Sequence, residues 1–182
     1  MFVHRCLRGL LIAVAFSCCG ASSAFAQSVV ADFQRAQKFY RSGQERQAVK
    51  ILRKIVKKYP DHQPSHLLLG RIAFANGQIA NAGRHFRKIS VDMVTPDMGY
   101  EFGIVMFQSG NCKKANVGFS RVRPNDRAID LSYFYRGVCY LRGRETQRAI
   151  SYLRRAQKLP PSLQESRREA LAEARRRIKA EQ

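Results

Sequence analysis

Acidic residues are scarce in this chain, and tryptophan is missing from it. Its 182 residues include 13 Asp and Glu against 33 Lys and Arg, a net charge of +20. With so few carboxylates, only chance would assemble the pair of acids that acid–base catalysis needs. The 11 Phe and 7 Tyr still allow a buried core, so a disordered chain is excluded. The length fits one domain and excludes a large multidomain enzyme.

A long hydrophobic run is also missing. The apolar stretch over residues 9–16 is shorter than the ~20 residues that a membrane span needs. It follows two bases, Arg5 and Arg8, and precedes an A-x-A cleavage motif at residues 24–26. We therefore predict a signal peptide over residues 1–26 and a mature chain that begins at Gln27 and carries a net charge of +18.

Only two of the five cysteines, Cys112 and Cys139, remain after the predicted cleavage. Exported proteins fold in oxidising compartments, so an even number of thiols permits a disulfide. The alternative is two buried free thiols that act as small apolar residues, because a bridge requires alpha carbons within about 7 Å.

Motifs for catalysis and metal binding are absent as well. His62 and His66 are four residues apart, but Pro64 interrupts a continuous helix and no glutamate accompanies them. We interpret them as a loop residue and a helix-face residue, and His85 as a solvated side chain on an outer helix. No glycine-rich phosphate loop or nucleophile elbow occurs. The sequence predicts a non-enzyme without metal, cofactor or small-molecule substrate.

The chain is organised by an internal repeat. Alanines recur at spacings of 34, 33 and 34 residues, each followed four residues later by Leu or Phe and preceded twelve residues earlier by Ala or Gly. The alanines are Ala48, Ala82, Ala115 and Ala149, and the small residues before them are Ala36, Gly70, Gly103 and Gly137. This pattern resembles the tetratricopeptide repeat (TPR), a helix–turn–helix unit of about 34 residues. The chain is identified as an exported bacterial member of that superfamily.

The resemblance implies an all-α, right-handed solenoid of about four units with a C-terminal capping helix. The units are expected at residues 29–62, 63–95, 96–129 and 130–163, with the cap over 164–182. Small residues let paired helices approach closely, so Gly70 should face Ala82 and Gly137 should face Ala149. Ser162 and Glu165 form a predicted capping box for the last helix. Cys112 of the third unit and Cys139 of the fourth are expected to lie close together, at the boundary between these two units.

In this family the first helix of each unit lines a concave groove, and the repeat phase assigns its residues. The predicted groove is apolar and aromatic and suits a partner segment; the alternative is that these side chains pack on their neighbours. Arg71, its one central charge, is a candidate anchor for a partner carboxylate. The family's carboxylate-clamping residues are not matched. The predicted groove residues are Phe33, Gln37, Tyr40, Leu67, Arg71, Phe74, Tyr100, Ile104, Phe107, Phe134, Val138 and Leu141.

A basic surface is predicted on the second helices. It either keeps the protein soluble as a solvated face or attracts an anionic partner. Nucleic acid is excluded because the protein is exported and the aromatic residues lie on another helix face. The residues are Arg53, Lys54, Lys57, Lys58, Arg148, Arg154, Arg155 and Lys158.

Together these features predict a non-enzymatic adaptor or assembly scaffold in the bacterial periplasm. Its partner would be another envelope protein, acidic in one version of the hypothesis, that lays an apolar or amphipathic segment into the groove. The alternative is a charge-driven accessory subunit for an acidic polysaccharide or a membrane surface in envelope export, with peripheral membrane contact.

Overall fold

The computed structural model describes the backbone of residues 20–180 and the side chains of residues 27–180. This part of the chain forms nine α-helices, two single-turn 3₁₀ helices and no strand. The α-helices are α1 (Gly20–Arg41), α2 (Glu45–Lys58), α3 (Gln63–Ala75), α4 (Ile79–Phe86), α5 (Gly99–Gln108), α6 (Cys112–Ser120), α7 (Ile129–Arg142), α8 (Thr146–Arg155) and α9 (Pro161–Ala180). The 3₁₀ helices, Val91–Met93 and Pro96–Met98, lie between α4 and α5.

The chain divides into two compact units, Met1–Lys58 and Tyr59–Gln182. In the first unit, α1 packs on α2 as a helical hairpin. Its core contains Ala36, Ala48 and Leu52, which are fully buried. These residues recur at helical spacing on facing sides of the two helices, so their burial closes the hairpin.

The second unit contains three further hairpins, α3–α4, α5–α6 and α7–α8, followed by α9. Each hairpin packs on the next, and large aromatic residues fill the space between them. Phe86 and Phe102, from adjacent hairpins, are fully buried with ring centroids 5.4 Å apart. Stacked helical hairpins confirm the predicted all-α solenoid class.

Three of the four hairpin turns use glycine in the left-handed region. Gly43, Gly77 and Gly110 have φ angles of 75°, 70° and 75°. The fourth turn places Arg144 at the same step with a φ of 60°. In each turn this residue donates its backbone N–H to the carbonyl three residues earlier, which ends the first helix. Arg144 adopts a conformation that an L-residue disfavours.

Gly70 and Gly137 allow the paired helices to approach closely, but their nearest neighbours differ from the prediction. A Cβ at Gly70 would lie 2.3 Å from the Phe86 ring, and one at Gly137 would lie 2.6 Å from Leu153. The closest side chain is therefore the large residue one turn beyond the alanine, and not Ala82 or Ala149. The reason is that the ring needs the volume that glycine leaves empty.

Helix α9 packs on α8 and α7. It begins at Pro161, a residue that suits the first turn because proline lacks the N–H that would be unpaired there. The predicted capping box is wrong, since Ser162 lies inside the helix and Glu165 pairs with Arg168. Arg177 Nη1 donates to the Leu141 carbonyl at 2.9 Å, which ties α9 to the end of α7.

The predicted signal peptide lies outside the described residues as far as residue 19, and residues 20–26 form the beginning of α1. Within residues 20–180, no helix combines the length and the apolar character that a membrane crossing requires.

Candidate functional site

The first helices of the second unit's hairpins carry an apolar stripe that is only partly buried. Leu67 and Phe74 on α3 and Tyr100 and Phe107 on α5 pack against the core with part of each side chain accessible. Leu141 on α7 is also half-buried. We define these five residues as the apolar stripe. It is a surface on which a second apolar segment could bury further area.

Two predicted groove residues belong to the core instead. Ile104 is 8% exposed and Phe134 is 4% exposed. The Phe134 ring lies among Leu153, Ala156 and Leu159, and the partly buried Val138 packs on that cluster together with residues of α9. The prediction of an open groove at Ile104 and Phe134 is therefore wrong, because neighbouring helices cover them.

Three further predicted groove residues lie in the first unit. Phe33, Gln37 and Tyr40 are all half-buried on α1. Gln37 borders an open depression with Lys38 and Arg41.

Arg71 is not a free anchor for a partner. Its guanidinium lies 3.4 Å (Nε) from Glu101 Oε2 and 3.5 Å (Nη1) from Asp97 Oδ2. The ion cluster formed by these three residues joins α3 to the beginning of α5. Since two carboxylates already face one guanidinium, a partner carboxylate would meet repulsion here, and the expected role of Arg71 is wrong.

Burial distinguishes the two acids of the ion cluster. Burial raises the pKa of Glu101 against the opposing effect of Arg71, and neither Arg71 Nε nor Glu101 Oε2 has a hydrogen-bond partner within the described residues. The hydrogen bond from Thr95, supported by Arg71, lowers the pKa of Asp97. With both acids ionised the cluster carries a net charge of −1, although the chain as a whole is strongly basic.

Tyr135 is a central aromatic residue that the repeat phase did not assign. Its ring lies 4.9 Å from Phe107 and 5.7 Å from Phe119, measured between centroids. Burial raises the pKa of Tyr135 and, with Tyr135 nearby, that of Tyr100 to about 12. Tyr135 and Glu101 each directly follow a predicted groove residue in the sequence. A groove prediction that also took the next residue at each of these positions would have included both.

His66 and His85 form a pair that the sequence analysis missed. Their Nδ1 atoms are 3.0 Å apart, and His66 Nε2 donates to the Pro60 carbonyl at 2.8 Å. His66 is buried. His85 is half-buried, whereas we expected it to be solvated. The spacing of 19 residues recurs in the next hairpins as Gly99–Gly118 and Tyr133–Tyr152. Comparison of repeats at that spacing could have found the pair.

Cys112 and Cys139 are joined in the structure. They form a disulfide between α6 and α7, with alpha carbons 5.2 Å apart and a sequence separation of 27 residues. The bond links the third hairpin to the fourth. Of the two alternatives for these thiols, the structure adopts the bridge.

The predicted basic residues are all exposed, on α2, on α8 and just after α8. They are Arg53, Lys54, Lys57, Lys58, Arg148, Arg154, Arg155 and Lys158.

No group of three or more His, Cys, Asp or Glu side chains in the described part of the chain is arranged to hold a metal ion.

The chain is similar to solved structures of other proteins. A crystal structure of a MamA protein is 18% identical with a TM-score of 0.52, and covers 85% of this chain and 90% of its own. A crystal structure of PilW, a type IV pilus biogenesis factor, is 19% identical with a TM-score of 0.42, and covers 71% and 61%. At these identities the likeness to MamA concerns the fold alone. No curated protein matches the chain.

Family models of the tetratricopeptide repeat match residues 33–90 and residues 131–162. These matches cover most of the first two hairpins and nearly all of the fourth, while the third repeats the same geometry between them. The helical hairpins, the in-phase small residues and the two matches together show that the chain belongs to the tetratricopeptide repeat superfamily.

Proposed function

We propose that this protein is a non-enzymatic scaffold that binds an apolar or amphipathic segment of a partner protein. Repeats of this family generally serve in protein–protein interaction, through the extended surfaces that stacked hairpins create. The observation that carries the proposal is the apolar stripe on α3, α5 and α7, whose side chains are only partly buried.

The ion cluster narrows the chemistry of the bound segment. Its net negative charge and the Glu101 side chain, which is 28% exposed, favour a cation, and the apolar stripe on either side favours apolar residues. The proposed occupant is therefore an amphipathic segment in which a Lys or Arg lies among apolar residues and approaches Glu101.

The proposed location is the bacterial periplasm. It rests on the signal-peptide pattern at residues 1–26 and is supported by the disulfide between Cys112 and Cys139, since such bonds persist in oxidising compartments. The partner would then be another envelope protein. The charge-driven role with an acidic polysaccharide or a membrane stays a prediction.

Site-specific photo-crosslinking in cells tests the groove. A photoreactive residue at Phe74 should capture a partner segment, whereas one at Gln147, exposed on α8, serves as the matched control. The captured segment is then synthesised and its affinity for the purified protein measured. We expect Tyr100→Ala with Phe107→Ala to abolish binding and Glu101→Gln to weaken it, while helicity by circular dichroism is unchanged.

Two results would contradict this function. One is a captured segment that is polar or acidic throughout. The other is a synthetic segment whose affinity is the same for the wild type and for the double alanine variant, because the stripe would then contribute nothing to binding.

A further inference from the structure

Six side chains of α7 and α8 form a continuous surface of alternating rings and guanidinium groups on the fourth hairpin. Tyr140 stacks on Tyr152 at 5.3 Å, and Tyr152 lies 6.3 Å from Tyr133, measured between ring centroids. An arginine lies over each ring. Arg155 is 4.0 Å from the Tyr133 centroid, Arg136 is 4.1 Å from Tyr152, and Arg148 is 5.8 Å from Tyr140. We define these six residues as the tyrosine–arginine surface.

Two of the three arginines of this surface lie on rings and carry a charge that no carboxylate of the described residues neutralises. Arg155 also donates to the Tyr133 hydroxyl at 2.6 Å. Within the described residues, neither Arg155 nor Arg136 has a carboxylate partner; only Arg148 has one, Glu145, at 2.5 Å. A guanidinium fixed on a ring loses little conformational freedom when its remaining N–H groups bind a ligand.

The basic residues of α2 carry the same charge as the tyrosine–arginine surface but have no aromatic neighbours in their own helix. The last nine residues of α2, Lys50 to Lys58, include five Lys and Arg, and the helix Glu45–Lys58 contains no aromatic residue. Its lysines Lys54, Lys57 and Lys58 are exposed point charges on flexible stems. They attract any anion without geometric preference, whereas planar guanidinium groups match carboxylates in pairs of hydrogen bonds.

The rings themselves are not open platforms. Tyr133 is covered by Arg155, and Tyr152 is covered by Arg136 and stacked on Tyr140. Sugar rings and nucleobases bind aromatic side chains by stacking on a free face, and little of such a face remains. Insertion into a membrane needs exposed apolar residues, and among the described large apolar side chains only Val30 of α1 is exposed. The carboxylates of a flexible acidic peptide fit best.

We propose that the tyrosine–arginine surface binds an acidic segment of a partner protein, whose Asp or Glu carboxylates accept paired hydrogen bonds from Arg136 and Arg155. This site lies outside the apolar stripe and has the opposite charge preference from the ion cluster. It accounts for the strong positive charge of the fourth hairpin as a recognition feature and not only as a source of solubility.

Fluorescence anisotropy of a labelled oligo-glutamate peptide on the full chain at physiological ionic strength tests the site. The charge-preserving variant Arg136→Lys with Arg155→Lys should weaken binding about tenfold, because lysine cannot supply the planar pair of donors. The matched control, Lys54→Gln with Lys57→Gln, removes two charges and should weaken binding less than about twofold. Arg155→Lys alone, at an exposed position, replaces the double variant if that variant does not fold.

Further arms separate this site from other ligands and from the groove. Oligogalacturonate and anionic lipid vesicles should bind more weakly than the peptide, and tighter binding of either would overturn the proposal in favour of that ligand. Equal losses of peptide affinity in the two double variants, Arg-to-Lys and Lys-to-Gln, would also overturn the proposal. So would a wild-type protein that does not bind the peptide. Tyr100→Ala with Phe107→Ala should leave peptide affinity unchanged, so failure of the groove function would not imitate failure here.

Discussion

The third and fourth hairpins place very different side chains at the same pair of facing positions, glycines in the third and tyrosines in the fourth. In the third, Gly99 and Gly118 let the two helices touch through their backbones, and a Cβ at Gly118 would lie 2.7 Å from Gly103 N. In the fourth, the same spacing of 19 residues holds Tyr133 and Tyr152, whose ring centroids are 6.3 Å apart and which carry arginines. One repeat geometry therefore yields a close contact that stabilises in one hairpin and a recognition surface in the next.

The second hairpin extends the comparison. At the equivalent spacing it places His66 and His85, which fill the contact with a hydrogen bond between two rings. Each pair lies on equivalent turns of the first and second helices, so the backbone does not dictate its chemistry. The repeat supplies a position, and the residue that occupies it decides whether that position packs closely, forms a hydrogen bond or binds a ligand.

The largest expected effect comes from cutting the covalent link between the third and fourth hairpins. Replacement of Cys112 and Cys139 by Ala should lower the free energy of unfolding by about 3 kcal/mol, because the open chain regains its loop entropy. Chemical denaturation with and without reductant measures this, and reductant should no longer affect the variant. Two reactive thiols in the unfolded, unreduced wild type would contradict the bridge.

The close contact of the third hairpin gives the next effect. Gly118→Ala should destabilise the protein by about 2 kcal/mol, since the added carbon meets the backbone of α5 and the helices must separate. Gly143→Ala is the matched control, because its nearest heavy atom is at 3.5 Å, an ordinary contact. Similar melting temperatures for the two variants would show that the third hairpin is not closed by its glycines.

The second hairpin should respond to pH through His62. Its Nδ1 accepts from the Ser65 backbone N–H at 3.3 Å and from the Ser65 hydroxyl at 2.8 Å, and so caps α3. Burial, followed by the nearby His66, lowers the pKa of His62 below 6.5. The unfolded chain therefore binds this proton more readily, and stability falls as the pH decreases below about 6.5.

His62→Asn keeps a capping acceptor that does not titrate in this range. It should reduce the acid-induced loss of stability by about 1 kcal/mol, the usual contribution of a helix cap. Denaturation midpoints measured from pH 7.5 to pH 5.0 decide the question. Parallel pH profiles for variant and wild type would assign the acid sensitivity to other groups.

The smallest effect concerns the turns of the third and fourth hairpins. Gly110 adopts a φ of 75° without strain, whereas Arg144 adopts 60° in the corresponding turn. Arg144→Gly should raise the free energy of unfolding by about 0.5 kcal/mol, because relief of the left-handed conformation slightly exceeds the entropy cost of glycine. A loss of stability in thermal denaturation would mean that the Arg144 side chain has a compensating role.

The sequence alone determined the repeat and its consequences for the backbone. In-phase small residues are a local requirement of each hairpin, so the helical hairpins and the phase of the core followed from spacing. The same spacing placed both cysteines at the boundary between α6 and α7. The choice between a bridge and two free thiols depended on a distance that spacing does not contain.

The tertiary structure alone decided the chemistry of the surfaces. Arg71 belongs to the predicted groove in sequence, but its partners Asp97 and Glu101 come from the loop and helix that stack beside it. In sequence, nothing distinguishes Arg136 and Arg155 from the other basic residues. Only the packing of α7 on α8 brings each of them over a tyrosine ring. Repeat phase sets which side of a helix a residue lies on, while charge pairing and ring contact depend on distances of a few ångströms between different helices.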